Sequence, residues 1–160
     1  MDICVLAVGR MKAGPEREVC ERYLERARKS GPKLGLRGFS VEEVAEARAT
    51  RSHDRIAAEE AALIAKLREG DRIIPLDARG DLIDSDAFAA GLAKDAAASV
   101  ARAVFLIGGP DGLGPGALRR GPRSLSFGRM TWPHQIVRVL LAEQLYRATT
   151  ILSGHPYHRA

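Results

Sequence analysis

The sequence predicts an α/β protein built on a mostly parallel sheet with helices on both faces. Three observations carry this prediction. Short apolar runs of strand length recur at residues 3–8, 72–76 and 103–107, amphipathic helical segments separate them, and Gly/Pro breaks punctuate the change from one to the next. Strands that alternate with helices at this interval call for crossover connections, and crossovers place helices over the sheet.

The first strand, residues 3–8, ends at Gly9. Gly14-Pro15 opens a helix, because proline is pre-organised for the first helical position, and Val19, Tyr23, Leu24 and Ala27 recur at helical spacing until Gly31-Pro32 stops it. Residues 34–44 alternate weakly and are read as a second strand. Residues 51–68 read as an exposed helix with Ile56, Leu63, Ile64 and Leu67 on one stripe. The third strand covers 72–76, with Pro75 acceptable at an edge or a strand end. Ser85 can cap a helix over 86–98, and the fourth strand follows at 103–107. A short helical stretch near 116–120, a fifth strand around 124–127 and a long last helix over 133–152 complete the order, the helix being stopped by Gly154 and Pro156.

A chain of 160 residues is the length of one compact domain, so 1–160 is taken as a single domain. With 46% hydrophobic and 28% charged residues the composition is that of a soluble globule. No apolar run reaches membrane-spanning length, and Asp2 stands where a signal peptide would be basic, so the expected location is cytoplasmic and no membrane partner is expected. The net charge of +5 favours polyanionic partners, nucleic acid first among them. Cys4 and Cys20 form no CxxC pair and are expected to fill a strand and a helix face.

In open parallel sheets ligands bind beyond the carboxyl ends of the strands. Three ends therefore matter: Leu76-Asp77, Ile107-Gly108-Gly109 and Phe127-Gly128-Arg129. The loop Gly108 to Gly114 has neither the GxGxxG order nor GxxxxGK[ST], which removes the main support for dinucleotide and phosphate-loop readings. It is either a tight turn or a backbone cradle for a small ligand. The stretch Gly128-Arg129-Met130-Thr131-Trp132-Pro133 puts the single tryptophan at a helix entry, where it either staples the helix or supplies an apolar face to an adenine ring. Glu143 and Arg147, four apart on the last helix, read as an ion pair or as site residues. His155 and His158 find no third ligand at matching spacing, so no metal is expected. The apolar last helix also suits a subunit interface, and a dimer is expected.

Several motifs in fixed order then carry a family resemblance: Leu106-Ile107-Gly108-Gly109-Pro110-Asp111-Gly112, Met130-Thr131-Trp132-Pro133-His134, Val137-Arg138-Val139-Leu140, Glu143-Gln144-Leu145-Tyr146-Arg147-Ala148 and His155-Pro156-Tyr157-His158-Arg159. Together they resemble the small SPOUT methyltransferases that modify pseudouridine in large-subunit ribosomal RNA. The resemblance implies a C-terminal trefoil knot, which the general rarity of knots would argue against, together with a homodimer and S-adenosylmethionine as cofactor. It further implies cofactor binding by Leu76, Gly108, Gly109 and the run Gly128, Arg129, Met130, Thr131, Trp132 and Pro133. Glu143, Arg147, Tyr157, His158 and Arg159 would form the catalytic side, completed across the dimer. The chain departs from the pattern in Asp111, often glutamate, in the glycine-rich 33–38 segment, and in ending at Ala160.

The expected function is methyl transfer from S-adenosylmethionine to N3 of a pseudouridine in large-subunit (23S) ribosomal RNA. One small domain offers limited surface for reading RNA sequence, so the assembled ribosome is the expected partner. The alternatives are a non-catalytic ribosome- or RNA-binding dimer of the same fold, and a nucleotide-dependent α/β enzyme of another class.

Overall fold

A computed structural model of the chain describes residues 1–158. Five strands, β1 (Asp2–Val8), β2 (Arg37–Val44), β3 (Arg72–Leu82), β4 (Arg102–Ile107) and β5 (Leu125–Ser126), form a parallel sheet in the order β2-β1-β4-β3-β5. Its centre is β1 (Asp2–Val8) beside β4 (Arg102–Ile107), in register from Asp2 opposite Arg102 to Ala7 opposite Ile107. Both strands read as unbroken apolar runs because helices cover both faces of the sheet.

The alternation of side chains divides the core into two layers. Ile3, Val5 and Ala7 of β1, with Ala103, Phe105 and Ile107 of β4, face α1 (Pro15–Ser30), α3 (Ser85–Ala97) and α5 (His134–Ser153), where Leu24, Phe88, Leu92, Leu141 and Leu145 are buried against them. Cys4, Leu6, Val8, Val104 and Leu106 face the other way, onto Leu63 of α2 (Ser52–Ile64), Leu113, and Ala117 of the short α4 (Pro115–Leu118). Each such leucine removed from water contributes about 1.5–3 kcal/mol. Cys4 and Cys20 are both buried free thiols, and burial foremost pushes the Cys20 thiol up to about 11.

Several boundaries differ from those predicted, each for a local reason. A 3₁₀ turn, Gly31–Leu34, closed by left-handed Gly35, precedes the second strand, so β2 is Arg37–Val44 rather than 34–44. The helix expected over 51–68 ends at Ile64. β3 continues through polar residues to Leu82 (Arg72–Leu82), and β5 shrinks to Leu125–Ser126. Leu125 faces both Leu76 and Asp81 of β3, so the residues between bulge out of the ladder. β5 pairs only from Leu76 onward, which leaves Pro75 without a neighbour strand on that side. Asp84, not Ser85, caps α3: its Oδ1 accepts from the Ala87 N–H at 2.7 Å, while Ser85 Oγ donates to Gln144 Oε1 at 2.8 Å.

At the opposite end of the sheet from the loops discussed below, Arg102 clamps Asp71 through two hydrogen bonds of 2.9 and 2.6 Å, with the side chains 10% and 3% exposed. Burial alone would raise the Asp71 pKa, but the Arg102 hydrogen bonds and the Arg68 backbone N–H outweigh it, and the net shift is downward. A carboxyl whose folded pKa lies below its unfolded value contributes stability above that unfolded value and loses it as pH falls through the folded one. Asp71→Asn is therefore expected to destabilise the protein by about 3 kcal/mol at neutral pH, because the buried Arg102 then keeps only the partly exposed Glu42 carboxylate at 3.5 Å and the Lys66 carbonyl at 3.1 Å. The gap to the unmodified protein should close below pH 3.8, as followed by thermal denaturation at pH 7 and pH 3.

Candidate functional site

The bulge of β3 after Leu76 and the carboxyl ends of β4 and β5 converge on one cavity of about 590 Å³. Leu76 and Asp77 supply one wall, Gly108, Gly109 and Pro110 a second, and Gly128 with Met130, Thr131, Trp132 and Pro133 the third, continuing to His134 and Val137 of α5. Arg129 lies in the same run but does not line the cavity. Met130 and Trp132 are 72% and 41% exposed, an apolar surface kept open to solvent at the mouth instead of packed as a staple.

The glycine loop is shaped by what its backbone must avoid. A Cβ on Gly108 would stand 2.6 Å from Gly112 O and 2.7 Å from Leu113 N, both backbone atoms, so only glycine lets the two arms of the loop close on each other. The Gly112 N–H donates to Gly109 O at 3.0 Å and completes the turn, with Gly112 at φ 85°.

Helix α2 fastens this loop from behind. Arg55 grips Asp111 through Nε at 2.7 Å and Nη2 at 3.1 Å, and this pairing holds the Asp111 carboxyl below its usual range. Glu60 accepts from the Ala117 N–H at 2.7 Å at the start of α4. Glu59, only 4% exposed, accepts from the Ala47 N–H at 3.0 Å through Oε1, and its Oε2 lies beside Gly109 without a hydrogen-bond partner among the described residues. The sequence reading missed all three. One signal was available: Glu59 falls between Ile56 and Leu63 on the apolar stripe of its helix, where a carboxylate is out of place.

A buried guanidinium ties the cavity to the first strand. Arg138, on α5, donates to Val8 O at 2.6 Å, Gly9 O at 2.5 Å and Glu43 Oε1 at 2.6 Å while only 2% exposed. On the same helix Val137, the neighbouring residue, and His134, one turn earlier, form cavity wall.

The polar residues expected on the catalytic side form a second cluster. Arg147 Nε donates to Glu143 Oε1 at 2.9 Å, and Tyr157 Oη donates to the same oxygen at 3.1 Å. The Arg147 guanidinium stands 5.1 Å over the Tyr157 ring, and His158 Nδ1 is 3.4 Å from Arg147 Nη1. His158 Nε2 approaches Asp86 at 3.6 Å. Burial first, then the hydrogen bond with Tyr23 and the charge of Glu143, push the Tyr157 pKa up, so its phenol keeps its proton at neutral pH and serves as a donor. The hydrogen bonds that Arg147 donates to Glu143 likewise raise the Arg147 pKa. None of these four side chains lines the cavity within the protomer. Arg159, also expected here, lies outside the described residues.

Comparison with known proteins gives this geometry a context. A family model described as "Predicted SPOUT methyltransferase" matches residues 1–158. The chain is 53% identical over 160 residues, the whole of both chains, to "Ribosomal RNA large subunit methyltransferase H" of Rhodopseudomonas palustris strain BisB18. It is 53% identical over 159 residues, 99% of both chains, to the protein of the same name in Nitrobacter winogradskyi. Among solved structures, a probable methylase family protein from Haemophilus influenzae Rd KW20 superposes with a TM-score of 0.50 at 13% identity, covering 99% of this chain and 70% of that one, which is a likeness of fold. A family match along the full described length, joined to relatives identical at 53% along the whole chain, settles the placement: this chain belongs to the SPOUT methyltransferase family.

Proposed function

We propose that this protein transfers a methyl group from S-adenosylmethionine to N3 of a pseudouridine in large-subunit ribosomal RNA within the assembled ribosome. The observation that carries the donor assignment is the charge of the cavity. Although the chain has a net charge of +5, no lysine or arginine among the described residues lines it, and Asp77 is the one carboxylate there. A pocket for a polyphosphate would present cations to its ligand. This one suits an adenine between apolar faces, read by backbone groups, with a positively charged sulfur nearby. The relatives, identical at 53% over their full length, are named as large-subunit ribosomal RNA methyltransferases, which supports the substrate class.

The bound donor supplies an activated methyl group, so the protein's task is alignment of the nucleophile and removal of the N3 proton. Leu76, Gly108, Gly109 and the run 128–133 hold the donor, with Arg129 at its outer rim. Glu143, Arg147, Tyr157, His158 and Arg159 act on the base. Because the first four lie outside their own cavity, a homodimer in which one subunit's tail closes over its partner's cavity is the arrangement that unites them. Arg147, its charge secured by Glu143, steadies the base carbonyls or phosphate, and Tyr157 donates. His158 is then the member of the cluster suited to accept the N3 proton. The path of the chain from β4 past β3 to β5 and back along α1 and α3 as α5 supports a C-terminal knot, and the single two-layered core supports one domain over 1–160.

The deciding experiment is mass spectrometry of ribosomal RNA after ribosomes lacking the modification are incubated with protein and isotopically labelled donor. A label on any other nucleotide, or none, overturns the proposal. Arg147→Ala is expected to lower the transfer rate about a hundredfold while the donor dissociation constant stays unchanged, as measured by single-turnover kinetics and calorimetry.

A further inference from the structure

Methyl transfer changes the charge of the ligand in the cavity. The sulfonium gives up its methyl to nitrogen, the S–C bond electrons return to sulfur, and a neutral thioether remains where a cation stood. A site that feels this change can prefer donor over product without any difference in shape.

Two carboxylates are placed to feel it. Asp77 lines the cavity directly, with its side chain 16% exposed. Its Oδ1 accepts from the backbone N–H of Arg79 at 2.9 Å and from Arg79 Nε at 3.2 Å, but the Arg79 side chain is 85% exposed, so water screens that guanidinium. Glu59 stands immediately behind Gly109, and its Oε2 would lie 2.9 Å from a Cβ built there. No side chain therefore separates this buried carboxylate from the loop that forms the wall. Its Oε2 has no donor among the described residues, and Arg55, the cation one turn before it on the helix, is engaged in a two-bond clamp with Asp111. The other titratable group on the cavity wall is His134, which faces Glu46 at 3.8 Å. The charge left over around the cavity is negative.

We infer that Asp77 and Glu59 act as a charge filter, strengthening the hold on the sulfonium donor relative to its neutral thioether product and so favouring product release. The inference rests on the reading that the cavity takes S-adenosylmethionine. Asp77 and Glu59 do not react; they determine specificity through their field, which is weakly screened in a partly enclosed site.

The test is calorimetry of the intact protein with S-adenosylmethionine and, separately, S-adenosylhomocysteine, comparing the unmodified chain with Asp77→Asn and Glu59→Gln. Each substitution keeps the shape of the side chain, and in Glu59→Gln the new amide oxygen can still accept from the Ala47 N–H. The expected result is a donor affinity lowered about three- to tenfold in each variant with product affinity held to about twofold, so that the ratio of the two falls. Equal loss for both ligands would show that the carboxylates only hold the loops, and an unchanged ratio would overturn the inference by itself. If Glu59→Gln does not fold, Asp77→Asn decides alone. Failure of the unmodified protein to bind either ligand would remove the donor reading, and this inference with it.

Discussion

Gly108→Ala is expected to lower methyl transfer at least about a hundredfold, the size of effect that follows when a reacting partner is displaced by about 1 Å. The added methyl would meet Gly112 O at 2.6 Å and Leu113 N at 2.7 Å. Neither can swing away as the tip of a side chain could, so the turn itself must open. Opening it breaks the hydrogen bond from the Gly112 N–H to Gly109 O and moves the wall formed by Gly108 and Gly109. Calorimetry should find donor binding lost, and thermal unfolding should show a drop of about 2–12 °C from the crowding. Gly91 provides the control. It sits inside α3 with nothing within 4 Å of a built Cβ, so Gly91→Ala should leave binding alone and raise stability by about 0.5–1 kcal/mol.

Removing the Arg138 guanidinium should produce the largest loss of stability. Arg138→Met would fill much of the same volume but take the guanidinium from Val8 O and Gly9 O and leave Glu43 Oε1 with only the Met11 N–H. Breaking one side of a buried, hydrogen-bonded charge pair costs about 3–5 kcal/mol, which for a chain of this size is about 6–20 °C in Tm. Arg138→Lys should not rescue it, because one ammonium cannot reproduce a planar fork that serves three acceptors from two nitrogens. Donor affinity should fall as well, since His134 and Val137 form cavity wall on the turn that Arg138 anchors. A variant that unfolds at the normal temperature would show that the contacts of Arg138 are dispensable.

Much of this architecture is legible in the sequence, and the reason is local periodicity. The short unbroken apolar runs at 3–8 and 103–107, bounded by glycine, read as strands covered on both sides, and they form the centre of the sheet. Leu76, Gly109 and Gly128, singled out as strand ends by the parallel order, do line one cavity, although Leu76 marks a bulge within β3 and not its end. Features that depend on distant pairing were hidden. Residues 77–82 look like a loop because they are polar, yet β5 recruits them as strand by pairing at Asp81 and Leu82. Arg55 and Asp111 are 56 residues apart, and nothing in either neighbourhood announces the other. Asp84 outcompetes Ser85 as the cap of α3 because Ser85 has a partner in Gln144 on α5, a contact no local rule contains. Arg147, Tyr157 and His158 did gather around Glu143, but their position outside the protomer's own cavity is a fact of packing alone.

Arg138 reaches back along the chain to the carbonyls of Val8 and Gly9, and Leu141 and Leu145 complete the layer begun by Ile3 and Val5. The end of β1 is thus satisfied only once α5 is in place. Without α5 the cavity lacks its wall at His134 and Val137, and the core layer lacks Leu141 and Leu145. Polypeptides truncated before α5 should consequently be protease-sensitive and inert, and quality control would meet them as unfolded chains, never as half-working enzymes.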